Sequence, residues 1–287
     1  MAFYIGVDIG GTNINVGVTD GTGNIVGEAE TPTGANRPQE AVIGDILSAA
    51  DRAVSAAGVL RREIFAAGVG CPGTVESSSG SVVYNNNLGW RDFPLGKLLS
   101  EAWRLPVRVE NDANAAALGE VCAGSARGAS SAMILTLGTG VGSGFVVEGR
   151  IWTGWNASAC EFGHMVIVKG GRPCTCGRRG CLEAYASATG LIDMTREAMA
   201  AHPESLMNAL AEREGRVGGH TAFAAAERGD AAALRVVDEY VDYLACGVTN
   251  IVNGLQPEVV GIGGGVGRQG DRLLDRKSTR LNSSHLR

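Results

Sequence analysis

The chain has 287 residues, an apolar content of 45%, 43 glycines and a formal net charge of −5. An acidic balance without long basic blocks excludes an electrostatic nucleic-acid surface, so no nucleic-acid partner is expected. The opening segment lacks a secretory signal and no apolar stretch reaches eighteen residues, so we expect no membrane association and a cytoplasmic protein whose seven cysteines are reduced or metal-bound.

The N-terminal half predicts a three-stranded meander followed by alternating helices and strands. FYIGVDIGGTNINVGVTD indicates a buried strand, a glycine turn and a second strand, and GTGNIVGEAETPT continues as a third. Apolar residues at helical spacing predict a helix over residues 38–58, with Gly58 as its C-cap. Beyond it we expect a strand ending in a Pro-Gly turn, a short helix, a strand and the start of a helix, in FAAGVGCPGTV, FPLGKLLSEAWRL, PVRVEND and ANAAALGEVCAG.

The strand–glycine–strand opening recurs about 130 residues later in SAMILTLGTGVGSGFVVEGRI. Residues 222–252 predict one or two helices, and EVVGIGGGVG predicts a strand that runs into glycines. This weak repeat predicts two similar α/β halves with a cleft between them, which we place at residues 1–112 and 113–275. Residues 276–287 are polar, basic and without periodicity, so they resemble a translated sequencing adapter and are excluded from the fold.

Three glycine-rich turns follow predicted strands, in DIGGT, LGTGVGSG and GIGGGVG. Adjacent glycines let backbone N–H groups face an anion, although a plain tight turn explains each one taken singly. LGTGVGSG is neither a Walker A loop nor a GxGxxG loop, because a strand follows it. Three such turns favour a nucleotide held between two lobes. Asp8 lies within an apolar strand, where a buried carboxylate requires hydrogen bonds or a metal.

The segment VENDANAAALGE places Asn111 and Asp112 at a strand end, ahead of a helix. By spacing alone the pattern favours an N-cap, supplied by Asp112 or Asn114. However, ligands bind at strand ends in α/β folds, and an aspartate there can accept the proton of an attacking hydroxyl. Both interpretations stay open at this point.

A cluster of metal-binding residue types has the pattern H-x9-C-x-C-x4-C, formed by His164, Cys174, Cys176 and Cys181. Four nitrogen and sulfur ligands are typical of a closed structural zinc site. A disulfide is disfavoured by the cytosolic context, and buried free thiols by the polar, glycine-rich loop. Glu161 and Glu183 flank the cluster, so a metal would fix both carboxylates, which suit sugar hydroxyls unless they are merely surface residues.

DIGGT, GCPGTV, NNNLGW, ENDANAAALGE, LGTGVGSG, EFGH, CTCGRRGCLE and GIGGGV together resemble the ROK family of sugar kinases over nearly the whole chain. The resemblance implies the actin-like (ribonuclease H-like) ATPase fold, an α/β fold with two lobes around a cleft. The family normally continues past GDRLL with a closing helix, so the C-terminal end is expected to be truncated. The resemblance also implies an ATP-dependent hexose kinase with Mg²⁺ and a structural Zn²⁺, working as a homodimer or homotetramer.

Within the family, NNNLGW, CPGTV and LEAYASATGL are most similar to glucokinases, which make glucose 6-phosphate. N-acetylmannosamine kinases and fructokinases share parts of the pattern and remain alternatives. A sugar-responsive ROK repressor is more remote, because DIGGT begins at residue 8 and leaves no room for a helix-turn-helix. An actin-like structural ATPase would need neither the zinc loop nor the paired glutamates.

The resemblance assigns a role to each matching residue. Asp112 would be the general base on the sugar hydroxyl. Phosphate and Mg²⁺ would meet a first loop of Asp8, Gly10, Gly11, Thr12 and Asn13, and phosphate a second loop of Gly138, Thr139 and Gly140. Adenosine would lie near Gly263, Gly264 and Gly265. The sugar would contact Gly73, Asn87, Asn111, Asp112, Glu161, His164 and Glu183. Cys160 departs from the smaller glycine or alanine of the family and is expected to be neutral.

Overall fold

The computed structural model describes residues 2–34, 37–85, 88–270 and 273, which form two compact units. The first comprises Met1–Ala132 and Gly144–Cys160, and the second Met133–Ser143 with the described residues from Glu161 onward. The sequence places the division after residue 112 instead. In the structure the helix that follows Asn111 and the segment that begins at Gly144 both belong to the first unit. They pack so closely that a Cβ on Gly144 would lie 2.7 Å from the Ala113 carbonyl oxygen. The segment 276–287 lies outside the described residues.

Every element that the sequence predicts for the opening half is present and in the predicted order, with three additional strands between the fourth strand and the second helix. In chain order they are β1 (Phe3–Ile9), β2 (Asn13–Thr19), β3 (Ile25–Pro32), α1 (Gln39–Ala57), β4 (Ile64–Cys71), β5 (Thr74–Glu76), β6 (Ser81–Asn85), β7 (Trp90–Phe93), α2 (Leu95–Trp103), β8 (Val107–Asn111), α3 (Asp112–Ala123), β9 (Ser131–Leu137), β10 (Val141–Val147), β11 (Arg150–Ile151), α4 (Glu183–Ala186), α5 (Ala188–Ala201), α6 (Leu206–Glu214), α7 (Thr221–Ala226), α8 (Ala231–Leu255), β12 (Val259–Gly263) and α9 (Gly264–Gly267).

A five-stranded sheet of order β3-β2-β1-β4-β8 forms the centre of the first unit. The predicted meander is confirmed: β1 pairs antiparallel with β2, and β2 with β3, with Val7 opposite Val16. In contrast, β1, β4 and β8 run parallel. Their carboxyl ends, at Ile9, Cys71 and Asn111, therefore point to the same edge of the sheet, which is where α/β proteins bind ligands.

Helix α1 covers one face of this sheet. Alternate residues of β1 are buried, as a half-buried strand requires, and α1 buries a stripe at helical spacing: Val42, Ile46, Ala49, Ala50 and Ala53. Gly27 of β3 allows close packing, because a Cβ there would collide with the Ala53 carbonyl oxygen. The predicted cap is confirmed, since Gly58 ends α1 with a left-handed φ of 66°.

A four-stranded sheet has the order β11-β10-β9-β12, and its β9–β10 hairpin confirms the predicted strand–glycine–strand repeat. The helical segment 222–252 contains two helices, because Gly229 adopts a left-handed φ of 81° and Asp230 caps α8. The β5-β6-β7 sheet, α5 and α6 are absent from the sequence prediction. None of the helices in the described part of the chain is long and apolar enough to span a membrane.

Candidate active site

The turn between β1 and β2 is the first glycine loop, and hydrogen bonds hold its backbone. The Gly10 N–H donates to the Asn13 carbonyl oxygen at 2.9 Å, and a Cβ on Gly10 would lie 2.7 Å from that oxygen. Buried Thr33 donates its hydroxyl to the Gly10 carbonyl at 2.7 Å and its N–H to the Thr12 carbonyl at 2.8 Å. Gly11 and Thr12 are exposed, so the tip of a fixed turn faces solvent.

Asp8 and Asn13 flank this turn with different side-chain environments. Asp8 is exposed, because the alternation of β1 points it away from the core, and it accepts a hydrogen bond from the Asn15 amide at 3.4 Å. The sequence predicts hydrogen bonds or a metal at this carboxylate, and the structure provides a hydrogen bond on the exposed face of β1. The Asn13 amide donates to the Glu30 carboxylate.

Asn111, and neither Asp112 nor Asn114, is the N-cap of α3. Its side-chain oxygen accepts from the backbone N–H groups of Ala113 at 3.0 Å and Asn114 at 3.2 Å. Its amide nitrogen donates to the Gly73 carbonyl oxygen at 3.1 Å. The cap therefore binds the β4–β5 turn to the start of α3, and Asp112 is not needed for capping.

The Asp112 carboxylate is half-buried in the first turn of α3. Burial raises the pKa of Asp112, and the negative charge of Asp8 raises it further, whereas a hydrogen bond from the Ala113 N–H at 2.9 Å acts in the opposite direction. A carboxylate in such surroundings holds a proton more strongly than an exposed one does. It therefore has the chemistry of a general base.

Glu110 is a residue that the sequence interpretation missed. Its Oε2 accepts from the Ser77 hydroxyl at 2.6 Å, and its Oε1 accepts from the Asn111 N–H at 2.9 Å and the Asn114 amide at 3.1 Å. Asn114 is buried, with 7% of its surface exposed. Glu110 thus fixes both Asn111 and Asn114, on either side of Asp112. Its sequence signal is the four-residue spacing to Asn114 across the strand–helix junction.

The second glycine loop, Gly138 to Gly140, joins β9 to β10. The Gly138 N–H donates to the Gly140 carbonyl at 3.0 Å. The start of α5 holds the same loop, because the Ala188 N–H donates to the Gly138 carbonyl at 2.8 Å and the Thr189 hydroxyl to the Thr139 carbonyl at 2.8 Å. Two loop carbonyls are thereby fixed, while the Thr139 side chain stays exposed.

The third glycine segment is a strand–helix junction. Gly263 ends β12 and Gly264 opens the short helix α9 with a left-handed φ of 83°. A Cβ on Gly264 would lie 2.6 Å from both the backbone nitrogen and the carbonyl oxygen of Leu137, so only glycine fits. Because Leu137 directly precedes the second glycine loop, the structure brings Gly263, Gly264 and Gly265 to that loop.

The predicted metal ligands are close together: one ligand atom from each of His164, Cys174, Cys176 and Cys181 lies within 4.8 Å of all the others. The Cys176 and Cys181 sulfurs are 3.7 Å apart, and Cys174 Sγ is 3.6 Å from His164 Nδ1. A tetrahedral zinc with Zn–S bonds of about 2.3 Å has ligand-to-ligand edges of roughly 3.8 Å. All seven cysteines belong to the described residues and are free thiols. The four side chains can hold a metal ion.

The EFGH motif forms a short 3-10 turn, Phe162–His164, against β10. The Phe162 N–H donates to the Ser143 hydroxyl at 3.0 Å. Residue 163 has to be glycine, because a Cβ there would collide with the Val141 carbonyl oxygen. The turn places Glu161 at its exposed start and half-buried His164 at its end.

The Glu183 carboxylate is engaged at both oxygens. Oε2 accepts from the Val141 N–H at 3.0 Å, and Oε1 accepts from the Thr175 hydroxyl at 3.2 Å and lies 3.6 Å from Cys174 Sγ. The second unit thus brings Glu183 next to the cysteine cluster and the second glycine loop. In the first unit, Gly73, Asn111 and Asp112 come together. Asn87, predicted at the sugar rim, lies outside the described residues.

Comparison with known proteins decides the family. The model of the ROK family matches residues 4–286. The chain belongs to the ROK family. This ROK chain is 41% identical to a glucokinase of Halalkalibacterium halodurans, a match that covers 95% of the chain and 83% of the relative. It is 37% identical to a glucokinase of Thermotoga maritima, over 94% of the chain and 84% of the relative.

A solved ROK structure is similar along the whole chain. The ROK family glucokinase from Streptomyces griseus, in complex with glucose and AMPPNP, matches with a TM-score of 0.86 and 32% sequence identity. The match covers 100% of this chain and 92% of that one. The predicted α/β fold of the actin-like ATPase class is confirmed by this likeness.

Proposed function

We propose that this ROK protein is a glucokinase, which transfers the γ-phosphoryl group of ATP to glucose and yields glucose 6-phosphate. The observation that carries the proposal is the half-buried Asp112, whose pKa is raised, at the end of a parallel strand. The glucokinases of similar sequence, and a similar structure that holds glucose and AMPPNP, support this substrate pair.

In the proposed reaction, Asp112 accepts the proton of the glucose 6-hydroxyl as that oxygen attacks the γ-phosphorus. The bond from the γ-phosphorus to the bridging oxygen breaks, and ADP leaves with the electron pair. Backbone N–H groups of the two glycine loops, around Gly11 and Thr139, stabilise the phosphate charge. Adenosine would lie near Gly263, Gly264 and Gly265.

The residues present suit both proposed metals. Asp8 offers an exposed oxygen ligand of the kind that Mg²⁺ prefers, and Mg²⁺ would supply charge neutralisation at the phosphates. The three cysteines and His164 would supply four ligands to a structural Zn²⁺, a set that would leave no position for a reacting water. Nδ1 of His164 lies 3.6 Å from Cys174 Sγ, and we assign its Nε2 to a sugar hydroxyl.

The other sugar contacts follow from polar groups with remaining hydrogen-bonding capacity. The Asn111 amide uses one of its two N–H groups on Gly73 and can donate the other. We propose that the hydroxyls are held by Gly73, Asn87, Asn111, Glu161, His164 and Glu183. We further propose a cytoplasmic homodimer or homotetramer without nucleic-acid partners, which light scattering coupled to gel filtration would test.

The test is an ADP-coupled assay of wild type and Asp112→Asn with glucose, N-acetylmannosamine and fructose. Loss of the base should lower kcat by about 10²- to 10⁴-fold while glucose still binds in calorimetry. Turnover of Asp112→Asn near the wild-type value would contradict the role of Asp112. A wild type that prefers N-acetylmannosamine or fructose would replace glucose by that sugar. Hydrolysis of ATP without any sugar would favour a structural ATPase instead.

A further inference from the structure

Glu183 contacts more than the sugar position that the family resemblance implies. Its Oε2 accepts the backbone N–H of Val141, the residue that directly follows the second glycine loop, at 3.0 Å. Its Oε1 accepts the hydroxyl of Thr175, which stands between two cysteines of the metal cluster. One carboxylate thus bridges two loops to which the proposed function gives different tasks.

The close fit at Gly140 supports this bridge. A Cβ on Gly140 would collide with Oε2 of Glu183, so the loop backbone and the carboxylate pack against each other without space between them. Two carbonyl groups of the loop are also held from outside: Gly138 accepts from the Ala188 N–H, and Thr139 accepts from the Thr189 hydroxyl. Glu183 is the acidic member of this support, and it bonds the side of the loop that leads into β10.

Val141 collects both anchors on one residue. Its N–H is taken by Glu183, and its carbonyl oxygen lies against Gly163 of the EFGH turn, where only glycine fits. Cys181, a predicted metal ligand, precedes Glu183 by two residues and is buried. Glu183 therefore connects the cysteine loop to the backbone at the end of the second glycine loop by hydrogen bonds.

We infer that Glu183 is a positioning residue for the phosphate-binding loop, so that nucleotide binding depends on it even when no sugar is present. This inference rests on the proposed function, in which Gly138 to Gly140 contact phosphate. A residue that only holds a sugar hydroxyl would affect sugar affinity and leave sugar-free nucleotide binding unchanged. The two roles therefore make opposite predictions for one measurement.

The test measures the Kd of Mg·AMPPNP without hexose by isothermal titration calorimetry. Glu183→Ala should weaken binding by about tenfold, because the Val141 N–H loses a charged acceptor. Glu183→Gln should stay within roughly threefold of wild type, since its amide oxygen can still accept that N–H. Glu161→Gln is the matched control: it changes another proposed sugar ligand, leaves the Glu183–Val141 bond in place, and should not alter the Kd.

Wild-type nucleotide affinity in Glu183→Ala, together with weakened glucose binding, would overturn the inference and leave Glu183 a sugar ligand only. If Glu183→Ala does not fold, Glu183→Asp replaces it, because the shorter side chain moves the carboxylate away from the Val141 N–H. Glu183→Asp should weaken AMPPNP binding more than Glu183→Gln does. Equal AMPPNP affinities of these two variants would overturn the inference. The proposed function is tested apart from this. A wild type that binds AMPPNP but phosphorylates no hexose would contradict the kinase and leave the loop coupling measurable.

Discussion

Cys160 is held in a backbone conformation that favours glycine. Its φ is 65°, in the left-handed region, and the nearby Ala157 has a φ of 59°. A side chain in this region costs about 1–2 kcal/mol relative to a right-handed conformation. We therefore expect that the backbone at Cys160 is strained and that cysteine is not neutral here. Cys160 directly precedes the proposed sugar ligand Glu161.

Replacing Cys160 by glycine should relieve this strain. The gain is reduced by about 0.5–1 kcal/mol, because glycine loses more conformational freedom on folding. The thiol is a weak donor, 3.7 Å from the Trp152 carbonyl, so its loss costs little. The net stabilisation of Cys160→Gly is about 0.5–1 kcal/mol, which for a chain of this length raises Tm by roughly 1–4 °C.

Differential scanning calorimetry of wild type, Cys160→Gly and Cys160→Ala measures this effect. The alanine variant removes the thiol but keeps the Cβ, so it should melt with the wild type, while Ala157→Gly should repeat the gain at the second strained position. A Cys160→Gly protein that melts no higher than Cys160→Ala would refute the strain argument. Glucose titrations of the same proteins then report whether relaxing Cys160 changes sugar affinity.

Four further results are expected. A chelator that removes the proposed zinc should lower both Tm and glucose affinity, and unchanged glucose affinity would make the cysteine loop a purely structural element. Because the pKa of Asp112 is raised, the acid limb of the kcat/KM profile should lie above the pKa of an ordinary aspartate. For the same reason the charged carboxylate destabilises the folded state, so Asp112→Asn should raise Tm at neutral pH, and this gain should fade as the pH falls through the folded-state pKa. A gain in Tm that persists at low pH would contradict this origin. Glu110→Ala should lower the free energy of unfolding by about 1–3 kcal/mol, because buried Asn114 loses its hydrogen-bond acceptor. Glu110→Gln should nearly retain the wild-type Tm, and equal Tm values for the two variants would argue against the Glu110 network. Gly138→Ala should keep the wild-type Tm, because no described atom lies within 4 Å of the Cβ position, but should weaken AMPPNP binding. Gly163→Ala should lower Tm instead, because its Cβ would collide with the Val141 carbonyl oxygen.

The sequence predicts the elements that have strong local signals. Apolar periodicity and a capping glycine specify α1, and alternation specifies the meander, because both patterns depend on neighbouring residues alone. The β5-β6-β7 sheet escapes prediction, since its strands of three to five residues are too short for a periodic pattern. The cluster of three cysteines and His164 is predictable because cysteine and histidine in a polar loop have few uses other than metal binding.

Side-chain roles at the strand ends are less predictable, because they depend on which way each residue points. The sequence offers Asp112 or Asn114 as the cap of α3. In the structure the Asn111 side chain, at the end of β8, accepts the backbone N–H groups of Ala113 and Asn114 and is the cap. The alternation of β1 exposes Asp8, although it lies within an otherwise apolar strand. Glu110 has no motif of its own, and its importance follows from three contacts that the fold brings together.

The glycines show why a motif cannot by itself identify a binding loop. Gly10, Gly163 and Gly264 are required by the fold, because a Cβ at each would press on backbone atoms of a neighbouring segment. At Gly138 and Gly265 no described atom lies within 4 Å of the Cβ position, and neither has a left-handed φ. Packing does not require glycine at these two positions, which agrees with the proposal that a ligand approaches their backbone. Within one motif, the fold therefore requires some glycines and leaves others free of packing.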